Sequence, residues 1–252
     1  MTITADLIRQ IITDHDAARP RSQQTDVGPS DLSSPCDRKL VHQIIGTPPV
    51  TDNAVNLQAW VGSGIHAQME AALKADDDWL TEQRVGVDLG DGLILRGSLD
   101  AYHKPSKTIV DWKSVGPSAL AKYRRQSPDN YLTQVSIYGL LAVLSGRMSV
   151  EHTAIAYIPR NGDLSEIHVD THPWDQDRAD AAIARLQHLH AAAAAGPVVL
   201  PLVGTADDCR FCRWWMPGSD RPQVGCPGHN PPDSTGHPAA WEPQEEEEAA
   251  AS

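Results

Sequence analysis

The chain has 252 residues, 40% of them hydrophobic, which is enough for one large domain or two small ones with a sizeable core. Its formal net charge is −12, and six of the acidic residues follow Asn230, so the balance excludes loose electrostatic coating of DNA but allows an enzyme with a local basic channel. The sequence has no apolar run of membrane-spanning length, and its N-terminus lacks the basic start and cleavage site of a signal peptide, so we expect a cytoplasmic protein without membrane contact.

The N-terminal third of the chain is predicted to be helical. An amphipathic segment over 2–12 is followed by a polar linker. A second helix is expected to begin at Ser33 or Ser34, as its N-cap, and to end at Gly46. A longer helix is predicted over 53–79, where apolar residues recur every four positions. Two glycines inside this helix indicate close packing or a helix start at that point.

Two carboxylates flank a short turn in the middle of the chain. Both flanks are rich in β-branched and aromatic residues and predict a hairpin. If the turn joins Lys104 to Lys107, Asp100 lies directly opposite Asp111, and Lys113 points to the same face as Asp111. Opposed like charges destabilise a sheet. The hairpin is therefore either an ordinary one with polar edges or a metal site, and a divalent cation between the carboxylates is the simplest compensation.

A helix, a second hairpin and an alanine-rich helix follow. The helix is expected to begin at Ser127 as its cap, to be buried, and to end at Gly146. The hairpin contains Asn161-Gly162, the signal of a type I′ turn, and the last helix stops before Gly196. This order of helices and strands predicts an α/β or α+β fold with a mixed sheet.

Aspartate followed by Asp-x-Lys on the next strand is the arrangement of a two-carboxylate metal nuclease site. Carboxylates hold hard cations, which acidify a bound water and neutralise phosphate charge in the transition state. Lys113 would steer or deprotonate that water, or stabilise the developing charge. Asp-x-Lys alone is common by chance. Two helical pairs at i, i+4 spacing accompany it, His66 with Glu70 and Gln134 with Tyr138, although each pair alone is an ordinary set of helix side chains.

In this order the motifs resemble the RecB-like branch of the PD-(D/E)XK nuclease superfamily. The resemblance covers roughly residues 30–230 and implies a restriction-endonuclease-like core, a central mixed sheet flanked by helices. It implies a Mg²⁺ or Mn²⁺ site formed by His66, Asp100, Asp111 and the backbone carbonyl of Trp112. It also implies that Lys113 is the catalytic lysine and that Gln134 and Tyr138 complete the site and contact DNA. The family often has glutamate at the position of Asp111, which is shorter by one methylene.

Four cysteines indicate a second metal centre, because cysteines in a cytosolic chain favour metal binding over disulfides. Cys36 precedes the predicted core, and Cys209, Cys212 and Cys226 follow it. This layout resembles the iron–sulfur members of the family, the CRISPR-associated exonucleases and their phage homologues, and implies a 4Fe–4S cluster that clamps the two ends of the domain together. On chemistry alone tetrahedral Zn²⁺ suits four thiolates equally well, and His229 could replace one of them. Structural cysteines without a shared centre are the remaining alternative.

The resemblance implies an exonuclease that degrades single-stranded DNA, often from 5′ to 3′, in phage or bacterial recombination, repair or processing. The densest basic patch contains Lys122, Arg124 and Arg125, which either contact DNA or form a solvated loop. Trp214 and Trp215 either stack on bases or pack around the cysteines.

The alternative function is a non-catalytic module that binds DNA in recombination or CRISPR adaptation, with a protein partner such as an integrase and a structural zinc or iron–sulfur site. Under either function we expect an N-terminal helix and linker over 1–29, the nuclease domain over 30–230, and a disordered acidic tail over 231–252.

Overall fold

The structure, a computed structural model, describes residues 3–18, 26–50, 57–206, 209 and 212–229. The predicted acidic tail and part of the predicted linker lie outside the described residues. Within them the helices are α1 (Ala5–Ala17), α2 (Pro29–Leu32), α3 (Asp37–Ile45), α4 (Leu57–Leu73), α5 (Pro117–Tyr123), α6 (Asp129–Leu144) and α7 (Gln176–Ala193). The strands are β1 (Trp79–Asp88), β2 (Ile94–His103), β3 (Thr108–Val115), β4 (His152–Pro159) and β5 (His168–Pro173).

The five strands form one mixed sheet in the order β1-β2-β3-β4-β5. Strands β3 and β4 are parallel, and the other neighbouring pairs are antiparallel. Parallel neighbours need a long crossover, and α5 and α6 lie in the connection between β3 and β4. The predicted mixed sheet flanked by helices is confirmed.

Helices cover both faces of the sheet. Ile109 of β3 belongs to the main core, which also contains side chains of α3, α6 and α7. The next residue, Val110, belongs to a smaller cluster with Trp112, against which Met69 and Leu73 of α4 pack. Because successive strand residues point to opposite faces, β3 is buried on both sides, and its apolar run fits a strand with a parallel neighbour.

Strand β1 is not predicted from the sequence, and the helix predicted over 53–79 ends at Leu73. The Asp76 carboxylate accepts the backbone N–H of Asp78 at 3.0 Å, and such a local turn competes with helix continuation. Alternation of Val85 and Val87 with exposed residues was the available signal for the strand.

Two predicted helix caps are wrong. Cys36, not a serine, is the N-cap of α3, and its Sγ accepts the N–H of Lys39 at 3.4 Å. Pro128 precedes α6, whereas the Ser127 hydroxyl donates to the carboxylate of Asp170 and accepts from the Tyr157 hydroxyl at 2.7 Å. Ser127 therefore joins α6 to the sheet instead of capping the helix.

The second hairpin forms, but its connection is longer than a type I′ turn. The last pair is Tyr157 with His168, and the connection contains a 3₁₀ turn over Leu164–Glu166. The carboxylate of Asp163 accepts the N–H of Ser165 at 2.8 Å and starts this turn, so the hairpin does not close at Asn161-Gly162.

No helix in the described part of the chain has the length and apolarity needed to span a bilayer.

Candidate active site

The ladder between β2 and β3 ends just before the two predicted aspartates. The three pairs nearest the turn have the predicted register, but Asp100 and Asp111 do not form the next pair. Beyond this point β2 remains paired with β1, and β3 with β4. The predicted direct opposition of the carboxylates is therefore wrong. Instead, the Asp100 carboxylate accepts the backbone N–H of Trp112 at 2.9 Å, in the space where the strands separate.

Asp111 is the most deeply buried acidic group of the site, with 2% of its surface exposed. Burial raises the pKa of its carboxyl against the opposing charge of Lys113, and the charge of Asp100 adds to the rise. Lys113 Nζ lies 2.8 Å from Asp111 Oδ2, so the two groups form an ion pair. Apart from Lys113, no hydrogen-bond donor to that oxygen is found among the described residues. A carboxylate oxygen can accept more than one contact, so this oxygen can also bind a cation.

Lys113 is held by neighbours on two elements. Its ammonium donates to Oε1 of Gln134 in α6 at 2.9 Å and lies 4.7 Å from the centroid of the Tyr131 ring. Gln134 is buried, and its amide therefore has a defined position. These contacts, with the ion pair to Asp111, direct the ammonium toward the carboxylates.

His66 reaches the same place from α4. Its Nδ1 lies 3.3 Å from Oδ1 of Asp100. Burial lowers the pKa of the imidazole, but the hydrogen bond and charge of Asp100, with the charge of Asp111, more than reverse this and place the pKa above its ordinary value. A raised histidine pKa indicates a negative local potential, which also attracts metal cations.

Neither glycine of α4 is required by close packing. A methyl group on Gly62 would lie 3.7 Å from Cβ of Ser114 in β3, an ordinary van der Waals distance, and one on Gly64 would have no other atom within 4 Å, so the predicted close packing is wrong. Glu70, one helical turn after His66, pairs with Lys74 at 3.0 Å instead.

Glu82 of β1 is a site residue that the sequence prediction missed. His66, Glu82 and Asp100 each offer one ligand atom, and these atoms lie within 4.8 Å of one another. No other group of three such side chains in the described part of the chain is as close together. Prediction of Glu82 would have required β1 and its pairing to β2, which the sequence pattern did not give.

The donors fit a hard divalent cation. Carboxylate oxygens suit Mg²⁺ and Mn²⁺, and imidazole is compatible with Mn²⁺. The buried carboxylate of Asp111 and the negative potential at His66 are the features of this structure that such a cation would satisfy. The backbone carbonyl of Trp112 stays a predicted ligand. The backbone N–H of the same residue donates to the Asp100 carboxylate.

Tyr138 lies one turn after Gln134 in α6 and is 5% exposed. It belongs to the main hydrophobic core, and a methyl group on Gly97 of β2 would lie 2.9 Å from its Cε1. The side chain thus packs α6 against the sheet, and its predicted contact with DNA stays a prediction.

The three predicted DNA-binding side chains are exposed. Lys122 belongs to α5, which directly follows β3, and Arg124 and Arg125 follow that helix. Arg124 donates to the backbone carbonyl of Glu166 at 2.8 Å. Their role in DNA binding stays a prediction.

The four cysteines come together although Cys36 is distant from the others in sequence. Burial raises the pKa of the Cys209 thiol to about 11, and the charges of Cys226, Cys36 and Cys212 contribute to the rise. Backbone N–H groups point at the sulfurs. The N–H of Lys39 lies 3.4 Å from Sγ of Cys36, and the N–H of Gly228 lies 3.4 Å from Sγ of Cys226.

Further contacts fasten the C-terminal segment to α3. The Arg38 guanidinium donates to the Leu200 carbonyl at 2.8 Å and to Sγ of Cys226 at 3.5 Å. Trp214 is buried, stacks on His42 with ring centroids 5.3 Å apart, and donates to the Thr47 carbonyl at 2.9 Å. The Trp214 ring thus packs against α3 and the segment that follows it, and its predicted packing around the cysteines stays a prediction.

Comparisons with solved structures show the fold. The structure is similar to SSO0001, with a TM-score of 0.58 and 15% identity over 84% of this chain and 95% of that one. It is also similar to the alkaline exonuclease LHK-Exo from Laribacter hongkongensis, with a TM-score of 0.50 and 10% identity over 69% of this chain and 91% of that one. LHK-Exo has also been solved in complex with dAMP. Searches of family models and of curated proteins find no match.

Proposed function

We propose that this chain is a divalent-metal-dependent nuclease that hydrolyses phosphodiester bonds of DNA, acting as an exonuclease on single strands, most often from 5′ to 3′. The observation that carries the proposal is the convergence of four elements where β2 and β3 separate: His66 from α4, one carboxylate from each of β2 and β3, and Lys113 of β3 held by Gln134 of α6. The fold shared with an alkaline exonuclease supports it.

Different residues of the chain would bind the metal, stabilise the reacting phosphate and bind the DNA backbone. Asp100 and Asp111, with His66, would hold Mg²⁺ or Mn²⁺, which when bound acidifies water and neutralises charge on the phosphate. Lys113 would face the reacting phosphate and stabilise negative charge or orient the attacking water. Gln134 keeps its ammonium directed into the site. Exposed Lys122, Arg124 and Arg125 would bind the DNA backbone beside it.

DNA labelled at its 5′ or 3′ end tests the function. Incubation of single- and double-stranded oligonucleotides with Mg²⁺ or Mn²⁺ should release mononucleotides or short products from single strands first, with the 5′ label lost earliest. Excess EDTA should stop the reaction. Binding without cleavage under every metal condition would instead favour the non-catalytic module, which would need a protein partner for its role.

Replacing Lys113 by methionine should slow cleavage by about a hundredfold or more, the scale of a positioned group acting in the transition state. DNA affinity should change little, because a transition-state interaction affects the chemical step more than ground-state binding. Single-turnover rates and fluorescence anisotropy measure the two quantities. Lys107→Met is the control, since Lys107 pairs with Glu151 at the other end of β3. Parallel loss of binding and rate would make Lys113 a phosphate anchor.

We also propose that the four cysteines bind a 4Fe–4S cluster and not zinc. The proposal rests on the spacing of one cysteine before the nuclease core and three after it, the layout of the iron–sulfur nucleases that the sequence resembles. The N–H groups directed at the sulfurs would stabilise thiolates.

Gly228 offers a test of this centre that leaves every cysteine in place. Gly228 has φ of +88°, and a methyl group there would lie 3.0 Å from Nε1 of Trp215 and 3.3 Å from Sγ of Cys209. Gly228→Ala should therefore lose most of the bound iron. Gly90→Ala is a matched control, because Gly90 has φ of +89° and open space around it. Iron analysis of anaerobically purified protein compares them, and equal iron content in both variants would contradict the assigned position of the cluster.

A further inference from the structure

Glu82 reaches the active site through an interruption of its strand. The pairs on either side form, but Glu82 and Asp100 do not pair. Glu82 has φ of +49°, in the left-handed region that residues other than glycine rarely adopt, least of all in a strand. The Glu82 carboxylate comes to lie beside the His66 imidazole and the Asp100 carboxylate, and the ligand atoms of the three side chains are within 4.8 Å of one another. Such outliers cluster at functional sites.

Ser98 fixes the direction of this carboxylate. Its hydroxyl donates to Oε2 of Glu82 at 2.7 Å, from a position two residues before Asp100 in β2. Glu82 is exposed, so burial of apolar surface does not explain its backbone conformation. The hydrogen bond orients an acidic side chain toward a second acidic side chain.

This arrangement concentrates negative charge without enough compensation from the chain. Asp100 already has His66 and the Trp112 N–H as partners, and Lys113 is paired with Asp111. The buried carboxylate of Asp111 adds to this charge: Lys113 is its partner, and no second donor to its Oδ2 is found among the described residues. A hard divalent cation, which takes six or more oxygen ligands, would offset the charge of all three carboxylates.

We propose that Glu82 is an additional ligand of the divalent-cation site, that it approaches from β1 on the solvent-exposed side, and that Ser98 is its positioning residue. This inference rests on the proposed nuclease function and deepens it. The Glu82 carboxylate completes the ligand set of Asp100 and His66, either at the cation or at its bound water, and raises affinity for Mg²⁺ and Mn²⁺. The left-handed backbone of Glu82 places its carboxylate there.

Mn²⁺ binding to the full chain, measured without DNA by the EPR signal of free Mn²⁺, tests the proposal apart from activity. Glu82→Gln should weaken Mn²⁺ binding by about tenfold or more, the scale seen when metal-site partners are removed. Ser98→Ala should weaken it by a smaller factor, and Glu82→Asp should restore part of the loss. Glu70→Gln is the matched control, with the same change of charge one helical turn from His66, and should bind Mn²⁺ like the wild type.

A second variant distinguishes the loss of a metal ligand from a folding defect. Glu82→Gly removes the carboxylate and permits the left-handed backbone, so it should melt at a higher temperature than the wild type in EDTA. Added Mn²⁺ should then raise its melting temperature less than that of the wild type. Wild-type Mn²⁺ affinity in Glu82→Gln, or an equal Mn²⁺ effect in Glu82→Gly, would overturn this inference while leaving the nuclease in place. Absence of Mn²⁺ binding and cleavage in the wild type would overturn the proposed function itself.

Discussion

Asp111→Asn should abolish DNA cleavage while making the metal-free protein more stable. Metal catalysis supplies several kcal/mol of transition-state stabilisation, so loss of a ligand should lower the rate by about a thousandfold or more. The same carboxylate is buried, and burial raises its pKa even with Lys113 beside it. Asparagine keeps its shape without the charge. We therefore expect the melting temperature in EDTA to rise by about 2–4 °C, the shift for 1 kcal/mol in a chain of this size.

Asp129→Asn is the control for this change. Asp129 is exposed at the start of α6 and pairs with Arg178 at 3.2 Å, so its replacement should leave cleavage intact and should not stabilise the fold. Asp100→Asn should lose activity like Asp111→Asn, but the Asp100 carboxylate accepts the Trp112 N–H and its replacement should not stabilise the protein. Full activity of Asp111→Asn with Mg²⁺ or Mn²⁺ would refute the assigned site.

The loss of cleavage and the gain in stability expected for Asp111→Asn have a common origin. A site that binds a divalent cation must hold carboxylates close together before the cation arrives, which is unfavourable for the free protein. Removing one carboxylate relieves this and abolishes function, which is the usual trade-off between activity and stability at catalytic sites. A mutation that merely unfolded the chain would lower both quantities.

Local sequence signals predicted the elements that carry most of the site. The alternation and turn around Lys104–Lys107 predicted β2, β3 and their register, and the spacing from Gln134 to Tyr138 predicted one face of α6. Strand pairing near a site is less predictable. The end of the β2–β3 ladder before Asp100 depends on the Trp112 N–H turning to a side chain, and no short-range pattern encodes that choice.

Glu82 illustrates what the sequence alone could not provide. Its role depends on β1 pairing beside β2, on a left-handed backbone in mid-strand, and on a hydroxyl sixteen positions away. Left-handed residues are recognisable in advance mainly when they are glycine. The prediction of Ser127 as a helix cap is wrong for a related reason. Its hydroxyl is hydrogen-bonded to Asp170 and Tyr157, and these tertiary contacts outweigh the local preference of serine for capping.

The cysteines give the prediction with the largest effect on the whole fold. Protein purified without oxygen should be brown and contain about four irons and four sulfides per chain. Cys36→Ala should lose the colour as completely as Cys209→Ala, although 172 residues lie between them. A cluster attached to both ends of the domain closes a very long loop, and any one missing thiolate exposes a corner of the cluster to solvent and decay.

Each of these cysteine variants should also melt about 5–10 °C lower than the wild type, or roughly 2–3 kcal/mol for a chain of this size, because metal binding is coupled to folding. The contacts of Arg38 with Leu200 and of Trp214 with Thr47 should keep the variants folded at low temperature. Nuclease activity should then persist there and disappear as the fold melts, since phosphodiester hydrolysis transfers no electrons. Elemental analysis decides the identity of the centre: a colourless protein with one zinc and no sulfide would refute the cluster and leave the nuclease site unaffected.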